Sequence, residues 1–275
     1  MSSPPQRNRI LACWLTAIVL ASVAIAGCAS VFKGAAALPT RHAVVLDQLV
    51  IHSDFHLPRQ HRMLEDLRAL RTSMQSKLDL KSSDEPIHVY LFENERKFEA
   101  FCTAHFPQFP SRRAFFVQND TSLAVYAQWG DRVSEDLRHE VAHGYLHSVL
   151  PEIPLWLDEG LAEYFETPRN ASGLNRPHVE WLTAERAKGV WQPNLARLEQ
   201  LNSAASMTQT DYAESWAWIH MLLETIPPRR ELLQAHLKAL HGSKTHEPLS
   251  VSILHSTSEP NRSLLDHLAQ LAAKK

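Results

Sequence analysis

Cysteine is nearly absent from this 275-residue chain, which has only Cys13, Cys28 and Cys102. The first two lie in, or at the end of, the apolar run Ile10–Gly27, so Cys102 stands alone in the body of the chain. That excludes an intrachain disulfide framework. It also disfavours thiol chemistry: Cys102 has no supporting motif and, amid Phe98, Phe101 and Phe106, reads as a small buried hydrophobe. An excess of charge of either sign is lacking too. Lys and Arg number 28 against 30 Asp and Glu, and no basic stripe offers a surface to nucleic acid. No internal repeat is found. Residues 28–275 are long enough to bury a substantial core, as one globular unit with two lobes rather than a string of domains.

The N-terminus carries an address. Arg7 and Arg9 precede the apolar run, which closes on Ile25-Ala26-Gly27-Cys28. A charged start, an apolar centre and small residues before a cut mark residues 1–27 as an export signal. The ending resembles the bacterial lipoprotein box, which implies that Cys28 becomes the lipidated first residue. The alternative is an uncleaved span of about 18 residues, long enough to cross a bilayer. Ala29 after the cysteine is similar to lipoproteins sorted to the outer membrane. The expected location is the bacterial cell envelope, lipid-anchored and facing the periplasm, with residues 28–40 as a tether. Removal of residues 1–27 takes away two Arg and no acids, moving the formal charge from −2 to −4.

The chemistry is concentrated in His139-Glu140-Val141-Ala142-His143, followed sixteen positions later by Glu159 within Trp156-Leu157-Asp158-Glu159-Gly160-Leu161-Ala162-Glu163. Two His at i and i+4 share a helix face and can reach one ion. Glu140 points about 100° away around the helix, placed for a water at the ion rather than for the ion. A carboxylate from a second helix would complete three protein ligands and leave a fourth position open, the arrangement of a hydrolytic zinc site. The context supports a helix. Ser134, Glu135 and Asp136 suit its start, Leu137, Val141, Tyr145 and Val149 form an apolar stripe, and Pro151 and Pro154 end it. His147 shares the face, but His139 and His147 are about 12 Å apart along a straight helix, too far for one tetrahedral ion. Val149 rules out the metzincin pattern.

Together these motifs resemble the gluzincin metallopeptidases, the thermolysin and aminopeptidase N-like clan with its bacterial peptidase-MA-like relatives. The resemblance is close over residues 134–167 and looser over 41–225. It implies one Zn2+ per chain held by His139, His143 and Glu159, with Glu140 as general base and a peptide or protein as substrate. It also implies supporting carboxylates at Glu163, which would take the N–H of a ligand His, and at Asp158, where the clan often has Asn. Glu163 reads equally well as a salt-bridging surface residue, and Glu166 reads as solvent-facing. Clan members commonly hold the oxyanion with a Tyr or His on a later helix. Tyr212, before Ser215-Trp216-Ala217, is the candidate here, although it also reads as an ordinary amphipathic aromatic. His220 reads as a buried, hydrogen-bonded residue. The spacer between His143 and Glu159 is shorter than in aminopeptidases, and no Gly-Ala-Met-Glu-Asn-type segment is present, so aminopeptidase specificity is not implied. The other function class open to the chain is a non-catalytic envelope lipoprotein with a metal-stabilised scaffold. A purely structural site, however, has no use for Glu140 and usually has four protein ligands.

The layout predicts an α+β, zincin-like fold: a mixed-sheet and helix lobe over 41–167 carrying the motif helix, then an all-helical lobe over 168–275. Strands are expected at 42–51, 86–92, 114–117 and 123–128, the last two as a hairpin. Helices are expected at 59–79, 93–104, 133–150 and 155–166, and then near 178–188, 195–202, 211–225, 229–241 and 261–273. By analogy with the clan, Leu123–Gln128 is expected to be the sheet's edge, where an extended substrate would pair. Replacing Cys28 with Ser should abolish incorporation of a radiolabelled fatty acid and release the protein from the membrane fraction. Label retained by the serine variant would overturn the lipoprotein reading.

Overall fold

A computed structural model describes residues 37–242 and 247–274, so the export segment and Cys28 lie outside the described residues. No helix among the described residues is long and apolar enough to cross a membrane. The chain enters through a hairpin, β1 His42–Leu46 and β2 Leu49–Ser53, with Val45 paired to Val50. This corrects the single strand expected over 42–51. The two-residue turn lacks glycine; Asp47 supplies the left-handed backbone at φ 51°, which Asp tolerates better than most residues. Gln48 then donates to the Glu85 carbonyl at 2.8 Å, tying the turn to the approach of the next strand.

Helix α1 (Arg62–Leu78) returns the chain to β3 (Ile87–Phe92), which pairs parallel with β2, as a crossover connection requires. Helix α2 (Glu95–His105) leads to the hairpin β4 (Ala114–Asn119) and β5 (Ser122–Gln128). The sheet order is β1-β2-β3-β5-β4, with β5 parallel to β3. Leu123–Gln128 is therefore an inner strand, and the edge expected there belongs to Ala114–Asn119. Strand alternation sends Ile87, Val89, Leu123 and Val125 to one face, within the main core. Phe92 and Phe115 face the other side, where they meet Phe98 and Phe101 of α2.

The first face receives α3 (Val133–His147), the motif helix. It starts one residue before Ser134, and no side chain caps it; the expected Ser134 cap is not formed. Arg113 instead binds the first-turn Asp136 through both nitrogens, at 2.9 and 2.7 Å. A Cβ on Gly144 would lie 2.9 Å from Ile87 Cγ2, so this glycine lets α3 settle onto β3. After Pro151 and Pro154 the chain turns into α4 (Leu155–Phe165), the second motif helix, with Trp156 through Ala162 all buried.

Helices α5 (Arg176–Ala187), α6 (Leu195–Leu198), α7 (Gln209–Glu224), α8 (Pro227–Gly242), α9 (Leu249–Ser256) and α10 (Pro260–Ala273) complete the described chain. Helix α9 was not expected from the sequence. Helix α7 is the axis of this half, buried from Ala213 to Leu223 and closely packed on α4. Burying aromatic rings as large as Trp156, Trp216 and Trp218 contributes roughly 4–6 kcal/mol each at most. The core runs without a break from Val44 to Leu271, so the two lobes differ in element type but share one interior. Even the polar stretch 168–177 is stitched in, because Trp216 Nε1 donates to the Gly173 carbonyl at 2.8 Å. His220 is buried as expected, 2.9 Å from His267, and burial pushes both rings down to about 4.

The α4–α7 contact leaves no room for a side chain at position 160, where a Cβ would lie 2.7 Å from the Ser215 carbonyl oxygen. Gly160→Ala should therefore destabilise the fold by about 1–3 kcal/mol, the usual cost of forcing atoms into a packed interior. The measurement is the shift of the urea midpoint. An unchanged midpoint would show that the two helices are not in backbone contact there.

Candidate metal centre

The two motif helices bring three ligand atoms together. His139 Nε2 lies 3.2 Å from His143 Nε2. Glu159 Oε2 on α4 is 3.6 Å from the first and 3.7 Å from the second. The centre of a triangle with these sides lies about 2.0 Å from each corner, the length of zinc bonds to imidazole nitrogen and carboxylate oxygen. All three side chains are largely covered, with exposures of 18%, 8% and 12%.

What aims the rings is on their Nδ1 side. His139 Nδ1 donates to Glu166 Oε2 at 3.0 Å, and the other oxygen of Glu166 accepts from Asn175 Nδ2 at 3.0 Å. His143 Nδ1 lies 2.9 Å from Asp158 Oδ1, an ion-pair contact without hydrogen-bond alignment, and neither atom has another partner. With each Nδ1 directed at a carboxylate, the Nε2 lone pairs point at one another across 3.2 Å. Two acceptors at that distance repel unless a proton or a cation sits between them. The residues present fit zinc: two imidazoles with carboxylates at their second nitrogens and one carboxylate ligand, three donors in all.

Asp158 thus backs His143, and its other oxygen reaches His147 Nε2 at 2.9 Å. His147 belongs to this support rather than to the ligand triangle, and its Nδ1 meets Gln118 on β4. Glu163 is a correction. Its Oε2 accepts from His178 Nε2 at 2.8 Å, and the carboxylate that takes the ligand N–H is Glu166, read from sequence as solvent-facing. Glu163 and Glu166 hydrogen-bond each other; burial raises Glu166 and Glu163 adds to it, while His178 holds Glu163 low despite its own burial. The signal for Glu166 was present, since Glu159, Glu163 and Glu166 at i, i+4 and i+7 form one helical stripe.

Electrostatics set the rest. Burial opposes charge on His143, yet Asp158 and Glu159 outweigh it and raise the ring to about 9. His139 is likewise raised against burial, chiefly by Glu159 and Glu166. Glu140 shares these surroundings: burial pushes its carboxyl up and Glu159 adds to that, while His139, His143 and Arg112 pull it down. Tyr212, in the first turn of α7, is half-buried and within electrostatic reach of Glu159, His139 and Glu163. Burial, followed by Glu159, pushes it up to about 12, so its hydroxyl remains a donor at neutral pH. A reciprocal cap fixes that turn: Asp211 accepts from Thr208 N at 2.7 Å and donates its own N–H to Thr208 Oγ1 at 3.3 Å. Sequence reasoning missed Arg112, which precedes β4 and lies within electrostatic reach of Glu140 and Tyr212, and Phe116, whose ring stacks on His143 at 6.0 Å.

The family described as "Protein of unknown function (DUF1570)" matches residues 133–249, from the first residue of α3 to the first of α9. That span holds His139, His143, Glu159, Asp158, Glu166 and Tyr212, but none of the sheet. No curated protein matches the chain.

Alanine at Asp158 or at Glu166 should each weaken zinc binding 10–100-fold, the usual effect of removing a ligand's partner. Glu163→Ala should weaken it less. Competition titration against a chromophoric chelator reads the series. Equal effects at Glu163 and Glu166 would return the supporting role to Glu163.

Proposed function

We propose that this chain is a zinc-dependent peptidase, tethered through Cys28 outside the cytoplasm, that hydrolyses peptide bonds in the cell envelope. The observation that carries the reading is the triangle of His139 Nε2, His143 Nε2 and Glu159 Oε2, sized for one zinc ion. When bound, zinc supplies Lewis acidity, polarising both a water and the substrate carbonyl. The protein's own groups divide the remaining work. Asp158 and Glu166 hold the imidazoles in the tautomer that leaves Nε2 free. Glu140 accepts the proton of the attacking water and passes it to the leaving amine; its raised carboxyl brings it nearer the neutral range, which suits both halves of that transfer. Tyr212 remains protonated and donates to the oxygen that gains charge as the carbon becomes tetrahedral. The chemistry requires an open position, and among the described residues the ligand triangle has three members. Zincin-like architecture is part of this proposal; the mixed sheet with the motif helix packed beneath it is what supports it.

Freshly purified protein should contain equimolar zinc. Glu140→Gln should retain that zinc and lose peptide cleavage by about 10²–10⁴-fold, the range for removing a positioned base, whereas Glu159→Ala should lose the metal. Cleavage by the Gln variant at the wild-type rate would rule out Glu140 as base. Metal-free wild-type protein that cannot be loaded with zinc would remove the proposal altogether.

A further inference from the structure

Beyond the metal, the edge strand has a second asset. On the face of β4 away from α3, the segment 106–113 and the C-terminal part of α2 enclose an open cavity of about 340 Å³. Its walls include Cys102, Phe106, Phe109 and Phe115, with the charged Glu99 and Arg112 also lining it. The rings of Phe106, Phe109 and Phe115 lie 5.0–5.2 Å apart in every pairing, yet Phe109 remains 46% exposed. Burial raises the Cys102 thiol to about 11, so its sulfur stays uncharged. A space of this size with three aromatic rings in its wall suits a large apolar side chain.

Strand geometry joins the cavity to the metal centre. Phe115 forms its wall, while Phe116, the next residue, points to the opposite face and stacks on His143. Arg113, immediately before them, is clamped to Asp136 of α3, so this end of β4 is fixed relative to the motif helix. Arg112 lines the cavity and lies within electrostatic reach of Glu140 and Tyr212. β4 is the last strand of the sheet, with β5 as its partner on the inner side. An extended peptide on the outer edge would follow the same two-residue alternation. A substrate residue opposite Phe116 faces the metal helix, and its neighbour opposite Phe115 faces the cavity. We propose that the Phe106–Phe109–Phe115 cavity is a specificity pocket for a Phe-, Tyr- or Leu-like side chain of an extended peptide bound along β4, one residue from the residue presented to the metal centre.

The proposal rests on the peptidase reading, and its test separates the two. The zinc-loaded full chain is assayed with blocked ten-residue peptides that differ only in carrying Phe, Leu, Ser or Lys at a single scanned position. Binding of the same peptides to Glu140→Gln is read by fluorescence anisotropy. At one position, Phe and Leu should exceed Ser in kcat/KM and in affinity by about 10–100-fold, the worth of burying one large apolar side chain. Phe109→Ala and the cavity-filling Cys102→Trp should both bring the Phe-to-Ser ratio close to one, with zinc content and circular dichroism confirming that each variant is folded. Cleavage with no such position, or a ratio unchanged in both folded variants, overturns the pocket and leaves the peptidase standing. Phe109-dependent binding without cleavage by the wild type overturns the peptidase and leaves the pocket standing.

Discussion

Everything in the centre depends on two nitrogen lone pairs being held 3.2 Å apart. That approach is unfavourable alone, and the fold enforces it from behind. Both rings stand on α3, and both are gripped on Nδ1 by carboxyls of α4 or its C-terminal cap, Asp158 and Glu166. The same helix sends Glu159 forward to the third corner. One eleven-residue helix therefore supplies a ligand and a grip, and the residue that caps it supplies the other grip. This explains why ligand spacing alone underdescribes the motif, since the rings' direction is set by residues that never reach the ion.

Burying so many charges on one helix is costly unless each is paired. Asp158 has His143 and His147, Glu163 has His178, and Glu166 has His139 and Asn175. The polar face is answered by an apolar one: Trp156, Leu157 and Leu161 lie in the core, and α7 packs directly on the helix at Gly160. Position 160 is where centre and scaffold meet, because any side chain there would push α4 off α7 and move Glu159 with it. Tyr212 rides on the same α7, so the helix that seats α4 also carries the candidate oxyanion donor.

Much of this was legible because it is local. The i, i+4 pairing of His139 and His143, the stripe on α3 and the proline break all act within a few turns of chain. They predicted helices within three residues of those found. What failed was non-local or lacked a local marker. The turn at Asp47-Gln48 joins two apolar runs with no glycine, so a hairpin reads as one strand. Strand order depends on pairing across the sheet, and no pattern within Leu123–Gln128 distinguishes an inner strand from an edge. Glu166 sits on a visible helical stripe, but no local pattern separates a buried, paired carboxyl from a solvent-facing one. Arg112 is the opposite case: it lies in an irregular segment, and only the tertiary fold brings it within electrostatic reach of Glu140.

The balance of charge shows what the centre is built to receive. Two carboxyls, Asp158 and Glu166, lie on the Nδ1 side of the rings and Glu163 is answered by His178, which leaves Glu159 at the two Nε2 atoms. Without a cation there, protons on the rings offset the surrounding carboxylates, and the upward shifts of His139 and His143 have that cause. A divalent ion at the triangle would replace those protons, turn both lone pairs from repelling to binding, and offset Glu159 directly. Glu140, outside the triangle but within its field, would then be the one carboxyl with neither a fixed partner nor a ligand role. A base needs that freedom, because a carboxylate locked in a salt bridge holds its charge too firmly to take up a proton and release it again.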